Sequence, residues 1–156
     1  PEEGELRPQL LDRFGLCVDV RTPENMQERI EVIRLRDEYE QSPQAFVKRF
    51  ARKQSALRKR IAQARERVSE VVVSDALLEQ VARLCLALGT DGLRGELTLM
   101  RTARALAAYE GAEAATQTHL QEVAELALAH RLRRDPLDES RPAVRVAKAL
   151  QELAAS

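Results

Sequence analysis

Apolar residues recur at helical spacing along most of this sequence, and cap signals mark where successive helices begin and end. Ser42 and Ser74 each stand where an N-capping side chain is needed, and Gly89 and Gly111 follow apolar-periodic segments as C-terminal stop signals. Glycine and proline are otherwise sparse, since each occurs 6 times in 156 residues. Consecutive helices with short connections predict a mainly α fold, a bundle of five or six helices.

The helix bounds follow from these signals. Thr22 is the predicted N-cap of the first helix, and Thr118 with Gln121 forms the predicted capping box of the fifth, which is expected to end near Arg134. The predicted helices cover residues 23–39, 43–68, 75–88, 93–110, 118–134 and 142–153. The predicted core faces of the last four are Leu77, Leu78, Val81, Leu84, Cys85 and Leu88; Leu99, Met100, Ala103, Leu106 and Ala107; Val123, Ala124, Ala127 and Leu128; and Val146, Ala149, Leu150 and Leu153.

A short strand is predicted ahead of the helices. Leu16, Val18 and Val20 alternate with Cys17 and Asp19, as in a half-buried strand. A single strand is not stable alone, and no second strand of similar quality follows in the sequence. We therefore expect the partners of this strand to lie upstream of Pro1, which makes the chain the tail of a larger protein.

Composition narrows the class of protein. Hydrophobic residues make up 44% of the chain and charged residues 32%, with a formal net charge of zero, which argues against a global nucleic-acid footprint. Cys17 and Cys85 both lie in apolar runs, so we expect reduced core cysteines of an intracellular protein, with a disulfide as the minor alternative. No apolar run approaches the length of a membrane span.

The predicted second helix is strongly cationic. Between Gln41 and Arg65 the sequence has eight basic residues and no acidic one. The three interpretations are a solvated face, a surface for an acidic partner, and a nucleic-acid contact. The basic residues are Lys48, Arg49, Arg52, Lys53, Arg58, Lys59, Arg60 and Arg65.

Two arginines are candidate functional residues. Arg94 lies in the first turn of the fourth helix, where the helix dipole disfavours a cation, and Gly92 and Gly95 beside it leave room for a backbone or a phosphate to approach. Arg13 lies between Asp12 and Phe14 and suits an arginine that reaches a phosphate across an interface. For each arginine taken alone, an exposed ion pair is the alternative, with Asp91 or Glu96 as the partner of Arg94.

Other chemistry has little support in the sequence. His119 and His130 have no partner at metal-ligand spacing, so both are interpreted as ordinary helix residues and no metal site is predicted. The sequence also has no P-loop, no nucleophile elbow and no Cys-x-x-Cys motif. The chain by itself is therefore expected to bind no nucleotide.

Three segments carry a resemblance to a known family. Residues 1–16 (Pro-Glu-Glu-Gly through Leu-Leu-Asp-Arg-Phe-Gly-Leu), residues 92–97 (Gly-Leu-Arg-Gly-Glu-Leu) and residues 130–138 (His-Arg-Leu-Arg-Arg-Asp-Pro-Leu-Asp) resemble the ATPase motor subunits of magnesium chelatase, which are members of the AAA+ class. The resemblance extends over nearly the whole chain and concerns only the C-terminal half of such subunits. It implies that the Walker A and Walker B motifs lie upstream of Pro1.

The resemblance also implies domains and site residues. Residues 1–21 would be the end of the nucleotide-binding αβα domain with its last strand, and residues 22–156 the helical lid domain, with an inserted long helix at about 43–67. Arg13 would be the arginine finger, acting in trans, and Arg94 the sensor 2 arginine at the ATP phosphates, in cis or in trans. ATP and Mg²⁺ would be cofactors of the full-length parent, whereas this fragment alone would be inactive and bind none.

Partners and pathway are implied in the same way. The subunits would form a homo-oligomeric ring, taken as a hexamer, and act with a second ATPase-like coupling subunit and a large porphyrin-binding subunit. The work would be magnesium insertion into protoporphyrin IX for chlorophyll and bacteriochlorophyll synthesis, in the bacterial cytoplasm, without nucleic acid or a membrane span. The alternatives are the equivalent part of a cobalt chelatase or MoxR-type ATPase, and a free-standing helical module that binds an acidic partner through residues 48–65. The last helix, within residues 139–156, is given no function.

Overall fold

The computed structural model describes residues 8–90, 92–132 and 141–154, and these residues form helices joined by short connections. The predicted mainly α fold is confirmed. A 3-10 turn, Ala129–Arg131, follows the sixth helix. The helices are α1 (Pro8–Leu11), α2 (Met26–Gln41), α3 (Pro43–Arg67), α4 (Asp75–Leu88), α5 (Arg94–Glu110), α6 (Gln117–Leu128) and α7 (Pro142–Ala154).

The predicted strand at residues 16–20 is wrong, because this segment has no regular secondary structure. Val18 and Val20 are exposed, and Cys17 is exposed rather than part of the core. A strand needs a neighbour to pair its backbone, and the described part of the chain contains no strand. The Cys17 amide instead donates a hydrogen bond of 2.9 Å to the carbonyl of Leu126 near the end of α6.

The chain divides into two compact units, one made of the described residues up to Val18 and from Ala64 onward, and the other of Asp19–Gln63. The hydrophobic core of the first unit lies between α4, α5, α6 and α7, and α5 packs most extensively on α6. Ala103 and Ala107 of α5 are fully buried, as are small residues of α6, so the two helix axes can approach closely. The domain boundary near residue 21 stays a prediction.

The predicted core faces are largely confirmed. Leu84, Leu99, Leu128 and Val146 are among the most deeply buried side chains. The prediction that Leu78 belongs to the core face of α4 is wrong, because its side chain is 42% exposed. The buried hydrophobic residues of the four helices are Leu77, Val81, Leu84, Cys85, Leu88, Leu99, Ala103, Ala107, Ala108, Leu120, Val123, Ala124, Ala127, Leu128, Val146 and Ala149.

Some helix ends could be predicted from the capping residues alone. The Ser74 hydroxyl accepts a hydrogen bond from the Leu77 amide, and Gly89 and Gly111 adopt φ of +64° and +84°, as predicted for an N-cap and two C-terminal stops. The N-cap of α2 is Asn25 and not Thr22.

The start and end of α6 also differ from the prediction. Its N-cap is Thr116, whose amide donates to Nδ1 of His119 at 2.9 Å, so His119 takes the place that Gln121 had in the predicted capping box. The helix ends at Leu128, before Arg134.

The second unit has little buried surface. No residue of α2 or α3 is buried, and apolar side chains such as Met26 and Leu57 are exposed. Tyr39 and Phe46 make an edge-to-face contact with ring centroids 5.6 Å apart. The sequence also predicts an apolar stripe on α3, and only its end is confirmed, because Ala64 and Val68 pack partly buried against the core whereas Leu57 and Ile61 are exposed. The predicted stripe comprises Phe46, Phe50, Leu57, Ile61, Ala64 and Val68.

Candidate functional site

The candidate site centres on the 12–15 turn, which follows α1 directly. The amides of Arg13 and Phe14 donate to the carbonyls of Leu10 and Leu11 at 3.1 and 3.0 Å, so the chain reverses direction here. The Arg13 side chain is exposed. It makes no hydrogen bond or ion pair with the described part of the chain.

Arg94 is the first residue of α5 and lies against this turn. Its Nη1 is 2.5 Å from Oδ2 of Asp12, and its side chain is 54% exposed. The carboxylate of Asp12 compensates a cation that the helix dipole disfavours. Among the described residues the partner of Arg94 is thus Asp12 and not Glu96, whereas Asp91 lies outside the described residues. Because Asp12 directly precedes Arg13, the pair attaches Arg94 to the 12–15 turn.

The two glycines beside Arg94 have different roles. Gly92 has φ of +67°, a conformation that L side chains rarely adopt. Gly95 is buried, and a Cβ there would lie 3.4 Å from Thr90 Oγ1 and 3.5 Å from a methyl group of Leu128. Gly95 therefore faces Thr90 and Leu128, where a Cβ would make ordinary van der Waals contacts, and the approach of a phosphate to this segment stays a prediction.

Arg131 also holds the turn, through the same Asp12 that pairs with Arg94, and was missed as a site residue in the sequence. Its side chain is 4% exposed. Nη2 donates to the carbonyls of Phe14 at 2.8 Å and Asp12 at 3.2 Å, and Nη1 to those of Ala127 at 2.7 Å and Gly15 at 3.2 Å. Nε lies 3.3 Å from Oδ1 of Asp12 as an ion pair but makes no hydrogen bond. The only sequence signal was its place in the His-Arg-Leu-Arg-Arg segment.

His130 also touches the turn, so its interpretation as an ordinary helix residue was incomplete. Its Nε2 lies 3.1 Å from the Phe14 carbonyl oxygen and also contacts the Arg131 guanidinium, and its Nδ1 is buried without a partner. Burial lowers the pKa of His130, and the Phe14 carbonyl opposes that change.

His119 has a structural role. It is 6% exposed, and its two ring nitrogens contact the start of α6 and, at 3.1 Å, the Glu110 carboxylate. Among the residues that the structure describes, no three His, Cys, Asp or Glu side chains group as a metal site would require. None of the helices in these ranges has the length and apolar character needed to cross a membrane.

The charge balance of the site favours an anion. Asp12 is shared by Arg94 and Arg131, and the exposed Arg13 adds a positive charge that has no ion-pair partner among the described residues. Guanidinium groups bind phosphate oxygens through paired, charge-assisted hydrogen bonds. The exposed edge of the turn can therefore contact a phosphate group presented from outside the described chain.

Comparison with known proteins shows which proteins this chain resembles. Residues 78–153 match the family model of the AAA lid domain. The chain is 56% identical over 98% of its length to the magnesium-chelatase 38 kDa subunit of Acidiphilium rubrum, and 55% identical over 97% to that of Rhodobacter capsulatus. It spans 44% and 43% of the length of these two relatives.

Similarity also extends to other proteins. An uncharacterized protein of Mycobacterium tuberculosis is 50% identical over 89% of this chain, which covers 22% of that protein. The solved structure of a putative ATPase from Cytophaga hutchinsonii superposes with a TM-score of 0.71 over 97% of this chain and 50% of its own, at 18% identity, which supports the fold alone. With an AAA lid domain and high identity along nearly its whole length, this chain is a relative of one part of the magnesium-chelatase 38 kDa subunits.

Proposed function

We propose that this chain is part of a ring-forming AAA+ ATPase subunit and presents Arg13 as an arginine finger to the nucleotide of a neighbouring subunit. The observation that supports it is the contrast within the 12–15 turn, where the backbone is held by Arg131 while the Arg13 side chain is exposed and has no partner in the described chain. A finger must be free to cross an interface and yet start from a fixed backbone.

Arg94 is proposed as the sensor 2 arginine of the same site. Its ion pair with Asp12, the residue before Arg13, supports this by attaching Arg94 to the same turn. If Arg13 acts in trans, Arg94 acts on the same neighbouring nucleotide, where both guanidinium groups meet the γ-phosphate. Asp12 would then release Arg94 to the phosphate, and hydrolysis would return it.

ATP and Mg²⁺ would be bound mainly by residues outside this chain. ATP supplies the transferable phosphoryl group, and Arg13 stabilises the charge that develops on it during hydrolysis. This chain has no P-loop of its own. Because Arg13 is proposed to act in trans, it contributes to the nucleotide site of a neighbouring subunit.

The activity of the whole protein is proposed from the names of its relatives. They are named as subunits of magnesium chelatase, and we propose magnesium insertion into protoporphyrin IX as the output, in the bacterial cytoplasm. The partners would be further copies in a hexameric ring, a coupling ATPase-like subunit and a large porphyrin-binding subunit. The alternative is a cobalt chelatase or a MoxR-type ATPase, which would use Arg13 and Arg94 in the same two roles.

Substitution of Arg13 in the full-length subunit tests the finger. Arg13→Ala should lower kcat for ATP hydrolysis by about 10³-fold or more. Mixing it with a subunit whose own nucleotide site is inactivated but whose Arg13 is intact should restore part of the activity, because the finger acts in trans. Arg83→Ala is the matched control, since Arg83 is exposed and pairs only with Glu79 on the surface of α4. Hydrolysis by Arg13→Ala at the control rate would overturn the proposal.

A second candidate function rests on α3. None of its residues is buried, and its basic residues include Lys53 and Arg58 on a helix without an acid between residues 41 and 65. Such a helix could bind an acidic protein surface. The same variant separates the two functions, because Arg13→Ala should leave binding of an acidic polypeptide to α3 unchanged.

A further inference from the structure

The 12–15 turn is held on the helical unit mainly by polar contacts. Phe14 is 53% exposed and Leu10 is 44% exposed, so the apolar side chains around the turn are only partly buried. The hydrogen bonds within the turn define its shape but do not attach it to the core. Its position therefore depends on contacts from other elements.

Arg131 supplies most of these contacts. Its guanidinium donates to the carbonyls of Asp12, Phe14 and Gly15, which are three of the four residues of the turn. The residue it leaves out is Arg13. The turn is thus fixed through its backbone, whereas the exposed Arg13 side chain has no hydrogen bond or ion pair within the described ranges.

The guanidinium itself is anchored in the core. Nη1 of Arg131 also donates to the Ala127 carbonyl at 2.7 Å, at the end of α6, where Ala127 and Leu128 are fully buried. A planar guanidinium directs its donors in a fixed fork, and hydrogen bonds shielded from water are stronger than exposed ones. A displacement of α6 would therefore move the turn with it.

We propose that Arg131 is a positioning residue that sets where Arg13 is presented to the nucleotide of the neighbouring subunit, so that the helical lid controls the finger through this buried guanidinium. The proposal rests on the proposed function of Arg13. In this role Arg131 acts on the turn, through its carbonyl groups and the Asp12 carboxylate, and not on the nucleotide itself. Lysine at this position would keep the positive charge but lose the planar fork that reaches several carbonyls at once.

The test uses ATPase kinetics of the full-length subunit with Arg131→Lys. A misplacement of about 1 Å at a reacting group can cost on the order of 100-fold in rate, so we expect kcat to fall by about 10- to 100-fold while KM for ATP changes by less than about twofold. Arg83→Lys is the matched control and should leave both constants unchanged. Unaltered kcat in Arg131→Lys would overturn the proposal.

A double-mutant cycle separates positioning from a general structural role. If Arg131 acts through Arg13, then Arg131→Lys should reduce kcat no further in an Arg13→Ala background. Losses that multiply would overturn the proposal. If Arg13→Ala alone keeps full activity, the proposed function fails first, and this outcome is distinct from failure of Arg131→Lys alone.

Limited proteolysis provides a second readout. Trypsin should cleave after Arg13 faster in Arg131→Lys than in the wild-type subunit, because the turn is released, whereas Arg83→Lys should leave this rate unchanged. Equal cleavage rates would contradict the proposed attachment. If circular dichroism shows that Arg131→Lys is unfolded, Arg131→Gln, which keeps two donors, replaces it under the same criteria.

Discussion

At the scale of single residues, the surroundings of each guanidinium separate three arginines that look alike in the sequence. Arg13 is exposed without a partner in the described chain, Arg94 is half exposed on one carboxylate, and Arg131 is buried among carbonyl oxygens. An exposed guanidinium can leave its place for a ligand. If a buried guanidinium moved away, the carbonyl oxygens around it would lose their hydrogen bonds, which costs free energy. Its role is therefore structural or positional.

The two cysteines should differ in reactivity for the same kind of reason. Burial, reinforced by the nearby Glu96 carboxylate, raises the pKa of the Cys85 thiol to about 11, whereas Cys17 is exposed. Since the thiolate is the nucleophile, iodoacetamide at about pH 8 should alkylate Cys17 and leave Cys85 unmodified until the protein unfolds. Mass spectrometry of tryptic peptides measures both sites. Equal rates at Cys17 and Cys85 in the folded protein would contradict this assignment.

At the scale of helices, close packing of α5 on α6 distinguishes the two faces of α5. Ala107 is fully buried against the core, while Ala105, two residues earlier on the same helix, is exposed. Both are alanines, and only their position on the helix differs. The buried face has no room for a larger side chain, whereas the exposed face is unconstrained.

Substitution by leucine at these two positions is therefore a matched pair. Ala107→Leu should reduce the free energy of unfolding by about 1–3 kcal/mol because the extra methylene groups overpack the helix interface. Ala105→Leu should change it by less than about 0.5 kcal/mol. Urea unfolding followed by circular dichroism measures both. A loss of similar size in the two variants would mean that the α5–α6 contact is not tightly packed.

At the scale of the whole molecule, residues far apart in the chain meet at the 12–15 turn. Residues 12–15 contact residues 94, 130 and 131. The 12–15 turn is therefore attached to elements that lie about 80 or more positions later in the sequence. This attachment replaces the predicted strand. It also means that the stability of the helical unit and the position of Arg13 depend on the same contacts.

One of these contacts should make stability sensitive to acid. Burial lowers the pKa of His130 below its ordinary value of 6.5, so the unfolded chain binds this proton more readily than the folded one. The stabilisation from neutral His130 is present above pH 6.5 and is lost as the pH falls through the folded pKa.

Thermal unfolding at two pH values measures this linkage. Between about pH 7.5 and pH 5.5, Tm of the wild-type protein should fall further than Tm of His130→Gln, which cannot titrate at this position. The comparison cancels the titration of the other groups. An equal fall in both proteins would show that His130 does not couple to folding.

Much of the fold could be predicted from local patterns. Ser74, Gly89 and Gly111 act on backbone groups within one turn of themselves, so their role is visible in the sequence alone. The predicted start of α6 was wrong because Thr116 and Thr118 have the same hydroxyl acceptor for a helix amide, and only the fit of the His119 ring distinguishes them. The strand at residues 16–20 failed because alternation describes a side-chain pattern, whereas a strand also requires a partner.

The sequence by itself determined the helices, most of their buried faces, the family, and the candidacy of Arg13 and Arg94, because each depends on neighbours within a few residues or on a recognisable motif. Only the tertiary structure decided that Asp12 pairs with Arg94 and that Arg131 holds the 12–15 turn. These contacts join residues more than 80 positions apart. Charge and residue type do not specify such a partner, since it depends on which surfaces the packing of α5 and α6 brings together.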